Sequence, residues 1–115
     1  MALKPSYNDK LHLPGLSKTE ILILAFEASQ KLEWNIEEVT PEGARFEVPF
    51  NMYSHGEEIT FTIEPGSDGE VAVRSQSSSV QFVDYGKNRK NIQKLRETME
   101  EIKTSLTPED RKSVV

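Results

Sequence analysis

Residues 58–73, EITFTIEPGSDGEVAV, contain the two clearest strand patterns in this chain of 115 residues. Every second position of Ile59–Ile63 is apolar, with threonine between, and Val71 and Val73 repeat the alternation. An alternation with a period of two is typical of a strand with one buried face. The turn between the two runs contains proline and two glycines, which predicts an antiparallel hairpin.

Two similar runs precede this hairpin. The first begins at Trp34, with Ile36 on the same face, and the second covers residues 44–50. Pro49 has no backbone N–H to donate to a strand ladder, so it indicates a sheet edge or a bulge. Together the four runs predict an antiparallel meander over residues 34–78.

Two predicted helices flank the meander. Ser17 and Glu20 have the spacing of a capping box, in which the serine hydroxyl accepts a hydrogen bond from the Glu20 amide and the glutamate reaches back. The apolar spacing around them predicts a helix over residues 17–33. A second helix is predicted over residues 86–106, because a single apolar stripe runs along it. The stripe consists of Ile92, Leu95, Met99, Ile102 and Leu106.

The two ends of the chain carry weaker patterns. Residues 1–8 are predicted to form a loose arm, Lys10–Leu13 a short strand, and residues 107–115 a frayed tail. The order β-α-β-β-β-β-α predicts one two-layer α+β domain over residues 1–115. Its antiparallel sheet would have four to five strands, with both helices on one face.

Composition narrows the classes of function. A formal charge of −5 argues against nucleic-acid binding, which usually needs a basic face. The absence of cysteine from the sequence excludes disulfides, thiolate metal sites and a cysteine nucleophile. No apolar run approaches the ~18 residues of a membrane span, and the first residues lack the apolar core of a signal peptide. We therefore expect a cytoplasmic protein without an integral membrane segment, a metal or a cofactor.

Serines and asparagines occupy positions that the patterns place inside the protein. Continuing the alternation past Val73 puts Ser75 and Ser77 on the buried face, and a helical wheel puts Asn88 at the centre of the apolar stripe, with Asn91 at its margin. Buried hydroxyls and amides need partners, so the two sets are expected to meet. The simpler interpretation is a structural latch, a set of hydrogen bonds that ties the last helix to the sheet. The alternative is a small polar pocket open to a ligand.

The connection into the last helix completes this candidate site. Asp84 is predicted to cap the helix and Gly86 to supply the turn. Lys87, Arg89 and Lys90 then oppose the helix dipole, and anion binding is one use that would offset this cost. The alternative is that these cations are ordinary solvated surface. The predicted ligand-binding residues are Ser75, Ser77, Asp84, Lys87, Asn88, Arg89 and Lys90.

The sequence contains no recognisable catalytic motif. A hydrolase that uses Ser75 or Ser77 needs a base, and His12 and His55 lie far away in sequence and outside any known motif. The segment at Gly86 lacks the first glycine and the Lys-Ser/Thr ending of a phosphate-binding loop. We therefore predict no catalytic residues and keep a serine-dependent hydrolase as the alternative.

Three motifs resemble a family of small bacterial domains of unknown function, many of them from Bacteroidetes. The motifs are SHGEEI at Ser54–Ile59, VRSQS at Val73–Ser77 and DYGKNRKNI at Asp84–Ile92. Members commonly read Ser-Trp-Gly-Glu-Glu, a Ser-x-Ser or Ser-x-Cys strand end, and Asp-Trp-Gly-Lys-Asn-x-x-Asn-Ile. Similar segments occur attached to rhomboid-type membrane protease sequences. This chain differs in having His55 and Tyr85 where tryptophan is frequent. The resemblance covers roughly residues 17–105 and implies a fold and a bacterial origin, but no activity.

These observations favour a non-enzymatic binding or accessory domain for an unidentified protein partner or small ligand. The expected contact region is residues 84–94. A further alternative is association with anionic membrane surfaces through Lys87, Arg89, Lys90 and Lys94. Homodimerisation through an exposed edge or face of the sheet is also open.

Overall fold

The computed structural model describes residues 6–49, 56–77 and 86–105. In chain order its elements are β1 (Ser6–His12), α1 (Lys18–Lys31), β2 (Asn35–Thr40), β3 (Gly43–Val48), β4 (Glu57–Ile63), β5 (Glu70–Ser77) and α2 (Lys87–Ser105). The five strands form one antiparallel sheet in the order β1-β5-β4-β3-β2. The predicted α+β fold, with the element order β-α-β-β-β-β-α, is confirmed.

The first strand is longer than the sequence predicted. β1 pairs with β5 along its whole length, so the prediction of a loose arm over residues 1–8 is wrong for residues 6–8. The rest of that arm lies outside the described residues. The alternation of apolar and polar residues in β1 is hard to recognise because β1 is an edge strand. Of its inward positions Tyr7, Asp9 and Leu11, only Leu11 is buried.

One face of the sheet carries the core. The strand register places Phe61 between Ala44 and Val73 in one row, and all three side chains are buried. The alternation predicted for residues 58–73 is therefore confirmed. Both helices pack on this inner face. The opposite face, called the outer face below, carries mainly polar side chains, and neither described helix covers it.

Helix α1 begins as the capping box predicts. Ser17 Oγ accepts a hydrogen bond from the Glu20 amide at 3.1 Å, and a Glu20 carboxylate oxygen accepts one from the Ser17 amide at 3.0 Å. These bonds satisfy two of the amides that a helix start leaves without a partner in the helix. The helix ends at Lys31, two residues before the predicted position.

The chain that follows α1 differs from the prediction at Ile36. Trp34 is buried and its ring lies 6.4 Å from that of Phe46, but the strand begins only at the next residue. Ile36 pairs with Phe46 and so lies on the inner face, yet it remains 43% exposed. The reason is its place on β2, the last strand of the sheet, where no further strand packs beside it.

The bulge also lies elsewhere than predicted. It occurs in β2, between Ile36 and Glu38, whereas Pro49 follows the end of β3. β3 is an internal strand that pairs with β2 and β4. A proline inside it would remove a ladder hydrogen bond, so the strand stops before Pro49.

Helix α2 buries its predicted stripe. Ile92, Leu95, Met99 and Ile102 are at most 5% exposed. Leu106, the last predicted member, and the tail at residues 107–115 lie outside the described residues. The stripe fixes the rotation of α2 about its own axis. This rotation directs Asn88 and Asn91, near the start of the helix, toward the interior.

Candidate functional site

A buried group of polar side chains joins β4, β5 and α2. We call it the polar cluster; it consists of Glu57, Ser75, Ser77, Asn88 and Asn91. Each of these residues is at most 6% exposed. Strand alternation places the two serines of β5 on the inner face. Because the apolar stripe of α2 packs on the same face, the first turn of this helix faces the serines.

Hydrogen bonds connect the serines to the asparagines. Ser75 Oγ donates to Asn88 Oδ1 at 2.7 Å and accepts from Asn91 Nδ2 at 3.2 Å. Asn88 Nδ2 donates to Ser77 Oγ at 3.1 Å. The three residues that the sequence patterns singled out, Ser75, Ser77 and Asn88, are therefore in direct contact, as predicted. Bonds between side chains of a strand and a helix hold the start of α2 against the sheet.

The sequence patterns did not identify Glu57 as a member of this cluster, and they placed Asn91 only at the margin of the apolar stripe. Asn91 Nδ2 also donates to Glu57 Oε1 at 3.0 Å, so this amide bridges β4 and β5. Glu57 lies directly opposite Ser77 in the sheet and is only 2% exposed. Counting the alternation of β4 back from Ile59 would have placed Glu57 on the inner face.

The partners of the serine hydroxyls decide what chemistry they can support. Ser75 gives its proton to an amide oxygen, and Ser77 accepts from an amide nitrogen. Neither arrangement resembles a nucleophile held by a base, in which the hydroxyl donates to an imidazole or a carboxylate. His12 contacts Glu70 at 3.0 Å on the outer face, and His55 lies outside the described residues.

The predicted cations occupy the start of α2 without joining the polar cluster. Lys87 is half-buried, whereas Arg89, Lys90 and Lys94 are exposed. The first turn of the helix contains no acidic residue. Asp84, the predicted cap, lies outside the described residues. A ligand at these side chains stays a prediction.

Arg96 of α2 pairs with Asp9 of β1, although Glu100 lies one helical turn further along α2. Its Nη2 lies 2.6 Å from Asp9 Oδ2 and also donates to the carbonyl oxygen of Lys10 at 3.3 Å. The hydrogen bond from Arg96 is the main reason that the pKa of Asp9 lies below its usual value. The pair therefore ties β1 to α2.

Among the described residues, two open grooves lie on the outer face of the sheet. The larger, called the Arg74 groove below, has a volume of about 510 Å³. Its outward side chains are Asn8, Lys10, Thr60, Thr62, Ala72 and Arg74. The smaller groove, of about 180 Å³, lies on the β3 side of the same threonines and includes Arg45 and Glu38. Both grooves therefore share Thr60 and Thr62 of β4 as their floor.

Two searches of the described residues limit the kinds of site. None of the described helices has the length and apolar character needed to cross a membrane. The described ranges contain no group of three or more histidine, aspartate or glutamate side chains placed to hold a metal ion.

A family model for proteins of unknown function, DUF1499, matches residues 7–99. The chain belongs to this family. The DUF1499 match begins in β1 and ends in α2, so it includes both the polar cluster and the grooves of the outer face. Among curated proteins, none matches the chain significantly. The description of the family states no activity, so function has to be argued from the geometry.

Proposed function

We propose that this domain is a non-enzymatic binding or accessory module for a protein partner or a small ligand. In this proposal the polar cluster is structural and the outer face of the sheet is the contact surface. The observation that carries it is the contrast between the two regions. The polar side chains of the cluster bond one another out of reach of solvent, whereas the outer face leaves donors and acceptors exposed beside a groove of about 510 Å³.

The size and lining of the Arg74 groove support this choice. Small-molecule sites usually have volumes of roughly 300–1,000 Å³ and a few polar groups that orient the ligand. Thr60, Thr62 and Ala72 have short side chains and form the bottom of the groove, whereas the longer side chains of Lys10 and Arg74 form its walls. The depression between these walls can accept a small molecule or a side chain of a partner.

The proposal is tested by locating where small molecules bind. Fragment mixtures are added to ¹⁵N-labelled protein, and binding is mapped from the shifts of the backbone amides. We expect the shifts to centre on Thr60, Thr62 and Ala72, and to disappear in an Ala72→Phe variant that fills the groove. Gln93→Phe, at an exposed position of α2, is the matched control and should bind fragments like the wild type. Shifts centred on Ser75 and Asn88 would instead make the polar cluster the binding site and overturn the proposal.

The start of α2 gives a second candidate, association with an anionic surface. Arg89, Lys90 and Lys94 are exposed, and the first helical turn contains no acidic residue. Clustered cations near an anionic membrane contribute about 1 kcal/mol each. The triple charge reversal Arg89→Glu, Lys90→Glu and Lys94→Glu should therefore abolish sedimentation with phosphatidylserine vesicles. Unchanged sedimentation would remove this candidate.

Two finer assignments belong to the same proposal. Within its family, we place the chain near the Bacteroidetes-type domains, on the strength of the DYGKNRKNI motif at Asp84–Ile92. A cytoplasmic location is supported by the lack of cysteine in a sequence with a charge of −5.

A further inference from the structure

Two arginines lie on either side of one threonine on the outer face. The register places Arg45 of β3 directly opposite Thr60 of β4, and Thr60 directly opposite Arg74 of β5. Neighbouring strands are about 4.8 Å apart, so the two arginine backbones are separated by about 10 Å. Side chains that lie opposite each other share a face of the sheet. Both guanidinium groups can therefore reach the space above Thr60.

The two arginines differ in how far their charges are neutralised. Arg74 makes no ion pair within the residues that the structure describes. Arg45 lies 3.6 Å from Glu38, and its Nε is buried without a hydrogen-bond partner. Lys10, the third cation of this face, is already paired with Glu64 at 3.1 Å. Within the described residues, Arg74 thus keeps its guanidinium donors for another molecule, whereas Arg45 shares its own with Glu38.

The outward side chains that line the Arg74 groove include hydrogen-bond donors but no carboxylate. Asn8 and the two threonines offer an amide and two hydroxyls, and Asp9 directs its carboxylate to the opposite face, where it binds Arg96. Glu38, Glu42 and Glu58 line the smaller groove on the other side of Thr60. The positive charge beside Thr60 is therefore concentrated on the Arg74 side. Guanidinium groups flanked by hydroxyls are the donors that carboxylates and phosphates prefer.

We infer that the outer face binds a small molecule through an oxyanion, held above Thr60 by Arg74 on one side and Arg45 on the other. The remainder of the molecule lies in the Arg74 groove, against Ala72 and Thr62. This inference rests on the proposed binding function and adds the chemical class of the ligand. The oxyanion is a carboxylate or a phosphate, since both suit the planar donor fork of arginine.

The test uses two simple probes, inorganic phosphate and succinate, titrated separately into ¹⁵N-labelled protein at constant ionic strength. We expect at least one of them to shift the amides of Thr60 and Arg74 saturably, and the tighter of the two identifies the preferred oxyanion. Arg74→Gln and Arg45→Gln should each weaken that binding roughly tenfold or more, because each removes a charged hydrogen-bond donor. Arg74→Lys, which keeps the charge but loses the fork, should lie between wild type and Arg74→Gln.

Lys31→Gln is the matched control. It removes an exposed cation at the end of α1, away from the outer face, and should leave the affinity within about twofold of wild type if binding is local. Equal weakening by Lys31→Gln and Arg74→Gln would reduce the effect to general charge attraction and overturn the inference. If uncharged fragments bind in the groove but neither phosphate nor succinate does, the oxyanion assignment is overturned and the proposed binding function stands. An outer face that responds to neither fragments nor probes would overturn both.

Discussion

Replacement of Asn88 by alanine tests the structural role of the polar cluster. Asn88 is fully buried, accepts a hydrogen bond from Ser75 and donates one to Ser77. The substitution removes both bonds and leaves two serine hydroxyls in a region where water does not reach them. A buried polar group that loses its partner costs more than the bond itself contributed, because its desolvation is no longer compensated.

The expected loss follows from these two groups. Each unsatisfied buried group costs about 1–3 kcal/mol, so the two hydroxyls together give roughly 2–6 kcal/mol. Alanine is a better helix former than asparagine by about 0.6 kcal/mol, which offsets part of the loss. We predict that Asn88→Ala lowers the free energy of unfolding by about 1.5–5 kcal/mol. Since small domains have about 5–15 kcal/mol in total, the variant should still fold at 25 °C.

Urea denaturation followed by circular dichroism measures this loss directly. The matched control is Asn35→Ala, which removes an exposed hydrogen bond to Glu47 of 3.0 Å. Loss of an exposed bond should change the free energy of unfolding by no more than about 0.5 kcal/mol. Equal costs for Asn88→Ala and Asn35→Ala would refute the reasoning. A double-mutant cycle of Ser75→Ala with Asn88→Ala should also show a coupling of about 0.5–3 kcal/mol.

Two further predictions concern a turn and an ion pair. Gly69 and Gly66 both have positive φ, but a Cβ at Gly69 would collide with the backbone carbonyl of Leu13, whereas one at Gly66 meets nothing within 4 Å. Gly69→Ala should therefore lower the melting temperature more than Gly66→Ala, and equal shifts would contradict this. Because Arg96 lowers the pKa of Asp9, the stabilisation from that pair is complete above the unfolded value of about 3.9 and is lost as the pH falls below it. With Asp9 about one-third exposed, Asp9→Asn should cost at most about 1 kcal/mol at pH 7 in urea unfolding. A difference from wild type that does not shrink as the pH falls below about 3.9 would contradict the assignment.

The sequence predicted the parts of the fold where periodicity is strong. Alternation in residues 58–73 and the 3-4 spacing from Ile92 onward depend on one buried face, and each face is buried as expected. The capping box of α1 is local to four residues, so it could be predicted without knowledge of the tertiary structure. The polar cluster followed from the same periodicities, since Ser75 and Asn88 occupy positions that the patterns assign to the interior.

The rest depends on contacts between distant parts of the chain. β1 is a strand because β5 offers it hydrogen bonds, although most of its side chains remain exposed. Arg96 had a local candidate partner one turn along the helix, but it binds Asp9, 87 residues away in sequence. The placement of Arg45 and Arg74 on either side of Thr60 could not be predicted for the same reason, because it depends on the strand register.

We propose that the polar cluster is closed and structural and that ligands bind on the outer face instead. Hydrogen exchange of the asparagine side-chain amides in D₂O tests the closure of the cluster most directly, because it compares buried and exposed groups in one spectrum. The structure predicts that the Nδ2 protons of Asn88 and Asn91, which are bonded within the cluster, exchange far more slowly than those of Asn35. Exchange of the Asn88 protons as fast as those of Asn35 would mean that solvent enters the cluster. That result would contradict the structural role and return Ser75, Ser77 and Asn88 to consideration as a ligand pocket.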